Sequence, residues 1–174
     1  FIYGGFVLPV FFFQAAVNHE LGTRPMDLVA RDLNGDGKQD LIFVAVDLDA
    51  IAVLIGNGNG TFQAHVPYAT LGNEPLNLAL ADFNGDGKID VVAVNANIPS
   101  SFSVFRGVGD GTFLAADNKP SRNSSWAPII GDFDADGKPD LGIANNVFDL
   151  VDVFRAREPA VDRTDVALGC SLAD

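Results

Sequence analysis

Residues 82–95 read D-F-N-G-D-G-K-I-D-V-V-A-V-N, a nine-residue acidic loop followed directly by a run of mostly β-branched residues. The same loop pattern occurs fifty residues earlier as D-L-N-G-D-G-K-Q-D at 32–40 and fifty residues later as D-F-D-A-D-G-K-P-D at 132–140. Self-similarity at a fixed period indicates a repeat protein in which each unit forms one supersecondary element.

In each loop the first, third, fifth and ninth positions carry side-chain oxygen, and the sixth position is glycine. Side chains at alternate positions converge on one point as the chain wraps around it, which suits a hard cation such as calcium. The carbonyl of the seventh residue, a lysine, and the ninth carboxylate would close the shell, and the lysine ammonium groups are expected to point to solvent. We therefore predict about three calcium ions, one per loop. The predicted ligands are Asp32, Asn34, Asp36, Lys38 and Asp40; Asp82, Asn84, Asp86, Lys88 and Asp90; and Asp132, Asp134, Asp136, Lys138 and Asp140.

The loop pattern allows two other interpretations. An EF-hand begins in the same way but needs a glutamate at position twelve, where this chain has Phe43, Ala93 and Ile143. The EF-hand is therefore rejected, and ligand sets made only of oxygen favour calcium over zinc or copper. Simple Asx and glycine turns between strands remain the alternative.

Short apolar runs surround each loop and are bounded by Gly, Asn and Asp, which favours strands over helices. The run at residues 41–46 is continuously apolar, as expected for a strand buried on both faces. The predicted strands lie at residues 26–30, 41–46 and 51–55; 76–81, 91–94 and 102–105; and 126–130, 141–144 and 151–154. Glycine turns at residues 56–62 and 107–113 lead into a fourth stretch. The predicted fold class is all-β, with β-propeller blades of four antiparallel strands and about three and a half blades, an incomplete propeller.

The acidic loop, the apolar run and the turn G-V-G-D-G-T-F at residues 107–113 together resemble the FG-GAP/VCBS repeat of integrin α-like β-propellers. The resemblance covers residues 13–155. It divides the chain into the end of a preceding blade at 1–25, blades with calcium loops at 26–75 and 76–125, a partial third blade at 126–155 and a divergent tail at 156–174. The third unit departs from the pattern at Asp134, Pro128 and Pro139. The tail lacks the glycine turn and is a terminal cap, an unrelated segment or a product of truncation.

Composition excludes several classes of function. The chain has 174 residues and a formal net charge of −12, which argues against nucleic acid and anionic membranes as partners. Three divalent cations would add +6 to that charge and leave about −6, an ordinary value for a soluble surface. A single cysteine, Cys170, excludes an intrachain disulfide. The apolar N-terminal stretch is too short and too interrupted to span a membrane.

The resemblance implies a non-catalytic, calcium-binding propeller segment of a secreted or cell-surface protein that mediates adhesion or ligand binding. Calcium would act as a structural staple, and the extracellular location follows from the weak affinity of such sites. Propellers close with four to eight blades, so the remaining blades or self-association would complete the ring. Protein or glycan ligands are expected to bind loops at residues 46–50, 95–101 and 145–150.

Two alternatives remain open. One is a lectin-type propeller, in which Trp126 and Tyr68 stack on a sugar or instead pack between blades. The other is an accessory propeller of a secreted hydrolase, whose activity would reside in another domain. No Ser/His/Asp set is evident in the sequence, and we expect this chain not to be an enzyme.

Overall fold

A computed structural model of the chain describes residues 15–97, 99–121, 125–145 and 149–156. These residues form eleven strands and one short 3-10 turn at Val46–Leu48. The first four strands are β1 Pro25–Arg31, β2 Asp40–Ala45, β3 Ala50–Leu54 and β4 Val66–Ala69. The next four are β5 Pro75–Ala81, β6 Asp90–Asn95, β7 Ser101–Phe105 and β8 Asp117–Pro120. The last three are β9 Ser125–Gly131, β10 Asp140–Asn145 and β11 Leu150–Phe154.

The strands form three antiparallel meanders, which we call blade 1 (β1–β4), blade 2 (β5–β8) and blade 3 (β9–β11). Within the described residues, blades 1 and 2 have four strands and blade 3 has three. Strand pairing repeats the fifty-residue period: Leu28 faces Phe43, Leu78 faces Ala93 and Pro128 faces Ile143. The innermost strand β5 packs against β1 on one side and β9 on the other. The predicted all-β class and the blade architecture are therefore confirmed.

The second strands of blades 1 and 2 are almost entirely buried, because both of their faces are covered. In blade 1, Ile42 and Val44 belong to the cluster shared with blade 2, and Phe43 and Ala45 belong to a cluster on the opposite face. These four side chains have no exposed surface. Fully burying a side chain of this size stabilises the fold by about 1.5–3 kcal/mol. Residues 42–45 thus have the double burial that the pattern at 41–46 predicts, and Val46 begins the 3-10 turn after the strand.

Pro128 does not prevent the first strand of blade 3 from forming. It lies in the middle of β9, opposite Ile143. Because β9 pairs only with β10, it is an edge strand, and an edge tolerates a residue that lacks the N–H donor.

The predicted blade end at residues 1–25 lies partly in residues 1–14, outside the described residues. Residues 15–24 run to β1 without strand structure. Residues 157–174 of the predicted tail also lie outside the described part.

Candidate metal centres

Each acidic loop connects the first two strands of a blade. In blade 1 the Asp32 carboxylate accepts hydrogen bonds from the backbone N–H groups of Gly35 at 2.8 Å and Gly37 at 2.9 Å. Asn34 Oδ1 accepts from the N–H of Asp36 at 3.0 Å. Asp36 Oδ1 accepts from the N–H of Lys38 at 2.9 Å. These local bonds curl the loop around the side chains of positions one, three and five.

The other two loops repeat this geometry. Asp82 and Asp132 each accept from the N–H of the glycine five residues on, at 2.7 and 2.9 Å. The fifth-position carboxylates accept from the lysine N–H groups, both at 2.9 Å. The sixth-position glycines have φ of +79°, +82° and +84°, a region that glycine enters without steric cost. At the fourth position, the third loop places Ala135 at φ +61° where the other loops have glycine. The third turn is therefore the more strained one.

The third loop brings three carboxylates together. Asp132, Asp134 and Asp136 are exposed, and one ligand oxygen from each lies within 4.8 Å of the others. Like charges this close repel one another, and a bound divalent cation would reverse that repulsion. The donors are all hard oxygens, which fits calcium. In the first two loops an asparagine amide stands in the place of Asp134, so those loops present one formal charge fewer.

The ninth aspartate of each loop has a structural role that the sequence did not reveal. Asp40, Asp90 and Asp140 are at most 1% exposed. One oxygen of each accepts from the N–H of the second loop residue: Leu33 at 2.9 Å, Phe83 at 3.2 Å and Phe133 at 2.9 Å. The other oxygen accepts from the N–H of the second residue after the third strand: Gly56 at 2.8 Å, Gly107 at 2.9 Å and Ala156 at 2.8 Å.

This bridge ties the acidic loop to the exit of the third strand in the same blade. Burial raises the pKa of the Asp90 carboxyl, while the N–H groups of Gly107 and Phe83 act in the opposite direction. Asp140 does not join the cluster of Asp132, Asp134 and Asp136. Each bridging oxygen still has a second lone pair, so metal ligation by the ninth position stays a prediction, as does ligation by the lysine carbonyls.

A signal for this bridge exists in the glycines that follow the third strands. A Cβ at Gly56 would lie 2.1 Å from the carbonyl oxygen of Gln39, and one at Gly107 would lie 2.1 Å from that of Ile89. Only glycine allows so close an approach of two backbone segments. The N–H of each glycine is thereby placed beside the buried aspartate.

The lysine at position seven differs from its prediction in the first loop. The ammonium of Lys38 does not point only to solvent but donates to Asp36 Oδ2 at 3.0 Å. The Lys38 N–H and this side-chain bond together lower the pKa of the Asp36 carboxyl. The stem of Lys38 also lies over the glycine turn, because a Cβ at Gly58 would meet its Cδ at 2.9 Å. The expectation that the lysine ammonium points to solvent is therefore wrong for Lys38.

The aromatic residues proposed for sugar stacking lie in different environments. Tyr68 on β4 packs edge-on against Phe113, with ring centroids 5.6 Å apart, inside the cluster between blades 1 and 2. Trp126 on β9 is 48% exposed. Of the predicted recognition loops, residues 46–50 are fully described, whereas residue 98 and residues 146–148 lie outside the described part.

Comparison with known families identifies a repeat in this chain. A sequence model described as FG-GAP-like repeat matches residues 32–93 and 82–143. Each match begins at the first aspartate of a loop and ends three residues after the last aspartate of the next loop. The two overlapping matches together cover more than half of the chain. A search of curated proteins found no match, and none of the helices in the described residues is long and apolar enough to cross a membrane.

Proposed function

Because this chain belongs to the FG-GAP-like repeat family, we propose that it is a calcium-stabilised propeller segment of a secreted or cell-surface protein. The segment serves adhesion or ligand binding and is not an enzyme. Calcium would bind at the three loops and brace the blades, and the partner would bind at the loops between second and third strands. Adhesion is the inference that depends most on family membership, since a fold alone does not fix function.

The observation that supports calcium best is the clustering of Asp132, Asp134 and Asp136 within 4.8 Å. The loops of blades 1 and 2 support it further, since their first and fifth positions make the same backbone hydrogen bonds. In each loop, positions one, three and five would hold the ion through side-chain oxygen. The residues of this chain then preorganise the site, because the N–H bonds fix the loop before the ion arrives.

The expected calcium affinity distinguishes a structural site, which stabilises the fold, from a regulatory site, which senses changes in calcium. Extracellular calcium modules bind with dissociation constants of about 10⁻⁴ to 10⁻³ M. At about 0.1 mM affinity and about 2 mM calcium, binding stabilises the folded state by roughly 1.8 kcal/mol per site. Three sites would contribute about 5 kcal/mol, which is the lower end of the stability of a whole domain. Sites with this affinity would be empty at cytosolic calcium, so the proposed staple acts outside the cell.

Thermal unfolding in calcium, magnesium and EDTA tests the proposal. We expect the midpoint to rise by about 10–20 °C between EDTA and 2 mM calcium, given about 5 kcal/mol and a chain of this size. Magnesium should have a much smaller effect, because it dehydrates reluctantly and seldom uses a complete protein cage. Equal midpoints in calcium and EDTA would exclude the staple.

A matched set of variants distinguishes the loss of calcium ligands from a disturbance of the fold itself. The triple variant Asp36→Asn, Asp86→Asn and Asp136→Asn keeps a carbonyl oxygen that can accept from the lysine N–H in each loop. Its midpoint in EDTA should stay near that of the parent, while most of the calcium-induced shift is lost. The single variant Asp134→Asn gives the third loop the same oxygen-bearing side chains as the other two and should retain most of the shift. Calorimetric titration with calcium checks both results.

A further inference from the structure

The lysine at the seventh position of the acidic loop has different partners in blades 1 and 2. In blade 1 the Lys38 ammonium donates to Asp36 Oδ2 at 3.0 Å. In blade 2 the N–H of Lys88 donates to Asp86 at 2.9 Å, but within the described residues the ammonium of Lys88 does not pair with that carboxylate. The two loops carry the same oxygen-bearing side chains, so the ligand set of the loop does not explain the difference.

The stems of the two lysines lie over the glycine turn of their own blade. A Cβ at Gly58 would lie 2.9 Å from Cδ of Lys38, and a Cβ at Gly109 would lie 3.3 Å from Cδ of Lys88. The stems therefore take the same course from the acidic loop to the glycine turn. The charge of the turn is then the feature that can direct the ammonium group.

The two turns differ in charge at one position, where blade 1 has Asn59 and blade 2 has Asp110. Oδ1 of Asn59 accepts from the N–H and the hydroxyl of Thr61, at 3.0 and 2.7 Å. Oδ1 of Asp110 accepts the same two bonds from Thr112, at 2.9 and 2.5 Å. The two side chains are thus held alike, and only the second terminal group differs, an amide NH₂ in one and a carboxylate oxygen in the other.

This difference gives the lysine of blade 2 a second anionic neighbour. The hydroxyl and N–H of Thr112 lower the pKa of the Asp110 carboxyl most, and the positive charge of Lys88 lowers it further. In blade 1 the equivalent group is a neutral amide, which does not attract an ammonium by charge. Lys38 is correspondingly paired with the carboxylate of the acidic loop.

An ammonium on Asp36 competes with a metal ion for the same carboxylate. Oδ1 of Asp36 already accepts from the N–H of Lys38, and Oδ2 accepts from its ammonium. A cation that binds there has to displace the ammonium or share the oxygen with a like charge, which repels it. The pair is partly exposed, and exposed ion pairs are weak. The competition therefore lowers the affinity of the loop and does not block it.

We propose that the residue at position 59 or 110 of the glycine turn sets the calcium affinity of the acidic loop in its own blade. It does so by drawing the lysine away from the fifth-position carboxylate, or by failing to draw it away. This inference rests on the proposed calcium sites and adds a residue that controls their affinity. The site of blade 2, with Asp110 in its turn, binds calcium more tightly than the site of blade 1, with Asn59. Calcium then fills blade 2 before blade 1.

The third loop meets a cation from another direction and lies outside this comparison. Arg155 Nη1 lies 3.6 Å from Asp134 Oδ2. Arg155 follows β11 directly, and Asp134 is the third-position carboxylate of the loop. The additional negative charge of the third loop is thus partly offset by a guanidinium at a different ligand position.

Calorimetric titration of one-site proteins tests the proposal. Asp86→Asn with Asp136→Asn leaves the first site, and in that protein Asn59→Asp should raise the calcium affinity about two- to fivefold, the scale of an exposed ion pair. Asp36→Asn with Asp136→Asn leaves the second site, where Asp110→Asn should lower the affinity by a similar factor. Both turn substitutions keep the Oδ1 acceptor. The unfolding midpoint in EDTA should therefore stay near that of the same one-site protein.

A double-mutant cycle distinguishes an effect through the lysine from an effect of added charge alone. Lys38→Met removes the ammonium and keeps a long unbranched side chain, so it should raise the calcium affinity of the first site by itself. In the Lys38→Met background, the gain from Asn59→Asp should largely disappear. An equal gain with and without Lys38 would mean that the new carboxylate acts directly on the ion, and would overturn the proposal.

The same titrations distinguish this inference from the proposed function. Equal affinities of the two one-site proteins, or an unchanged affinity in Asn59→Asp, would overturn the inference while calcium binding stands. One-site proteins that do not bind calcium at all would overturn both.

Discussion

The interface between blades 1 and 2 and the interface between blades 2 and 3 are built from strands in the same register, but they are filled differently. In the first, Phe113 from the glycine turn of blade 2 packs edge-on against Tyr68. In the second, Phe102 and Phe154 meet with ring centroids 4.8 Å apart, and a cavity of about 530 Å³ lies beside them. Lys119 occupies the position of Tyr68.

The difference shows that the glycine turn of a unit belongs to the preceding interface as much as to its own blade. A Cβ at Gly111 would lie 2.5 Å from Cδ1 of Ile55 and 3.7 Å from Cβ of Asn34, so this turn packs against the acidic loop of blade 1. Filling the interface and supporting the neighbouring metal loop are therefore two effects of one segment. The sequence of the third unit lacks this glycine turn. Other residues would therefore have to fill the interface between blades 2 and 3 and support the acidic loop of blade 2.

Removing the Phe113 ring should make the interface between blades 1 and 2 resemble the interface between blades 2 and 3. We expect Phe113→Ala to lower the free energy of unfolding by about 3–5 kcal/mol, the range for a buried phenylalanine. Phe133→Ala is the matched control, because that ring is 46% exposed in the third acidic loop, and its effect should be below about 1 kcal/mol. Urea unfolding in calcium measures both. Equal effects would mean that Phe113 does not hold the interface together.

The buried bridge should matter more where it anchors a glycine turn. Asp90→Asn places an amide NH₂ against one of the two backbone donors, Phe83 and Gly107. Leaving a buried donor without an acceptor costs about 1–3 kcal/mol. Asp140→Asn should cost less, because Ala156 does not lead into a Gly-Thr-Phe turn.

Measuring both variants in EDTA removes any contribution from ligation. Asp86→Asn serves as the control, since it keeps an oxygen that can accept the hydrogen bond from Lys88 and should be nearly neutral without calcium. A large loss of stability for Asp86→Asn in EDTA would contradict the division between bridging and ligating aspartates.

Restoring an aromatic residue should partly repair the second interface. Lys119→Tyr recreates the residue of the first interface at the edge of the cavity. We expect a gain of about 0.5–1.5 kcal/mol from aromatic contacts with Phe102 and Phe154. Phe102→Ala combined with Lys119→Tyr should abolish that gain in a double-mutant cycle. Thermal unfolding of the parent, the two single variants and the double variant provides the measurement. If the changes in stability of the two single variants add up in the double variant, the tyrosine does not contact Phe102.

The strands and the loops follow closely from the sequence because both depend on local pattern. The run at residues 41–46 predicts a doubly buried strand, and Ile42 to Ala45 have no exposed surface. The alternating oxygen donors predict a tight acidic turn, and the Asp32, Asn34 and Asp36 side chains all accept backbone hydrogen bonds within it. The fold class and the family are confirmed, whereas the metal ligands remain predictions.

The features that the sequence did not reveal depend on contacts between distant segments. The bridge from Asp40 to Gly56 spans sixteen positions, and nothing in the loop alone distinguishes its ninth aspartate from a metal ligand. The ion pair of Lys38 with Asp36 depends on a side-chain rotamer. The cavity beside Phe102 lies next to the unit whose sequence lacks a Gly-Thr-Phe turn, and this correspondence is visible only when the register of neighbouring blades is known.

The bridge made by Asp40, Asp90 and Asp140 has a further consequence for how such chains change in length. Each aspartate bridge forms within its own fifty-residue unit, so a duplicated unit would contain all the residues of its own bridge. Only the phenylalanine of its glycine turn, which packs against the preceding blade, would have to fit a new neighbour. We therefore expect insertion or loss of a whole unit to leave the bridges of the remaining units intact.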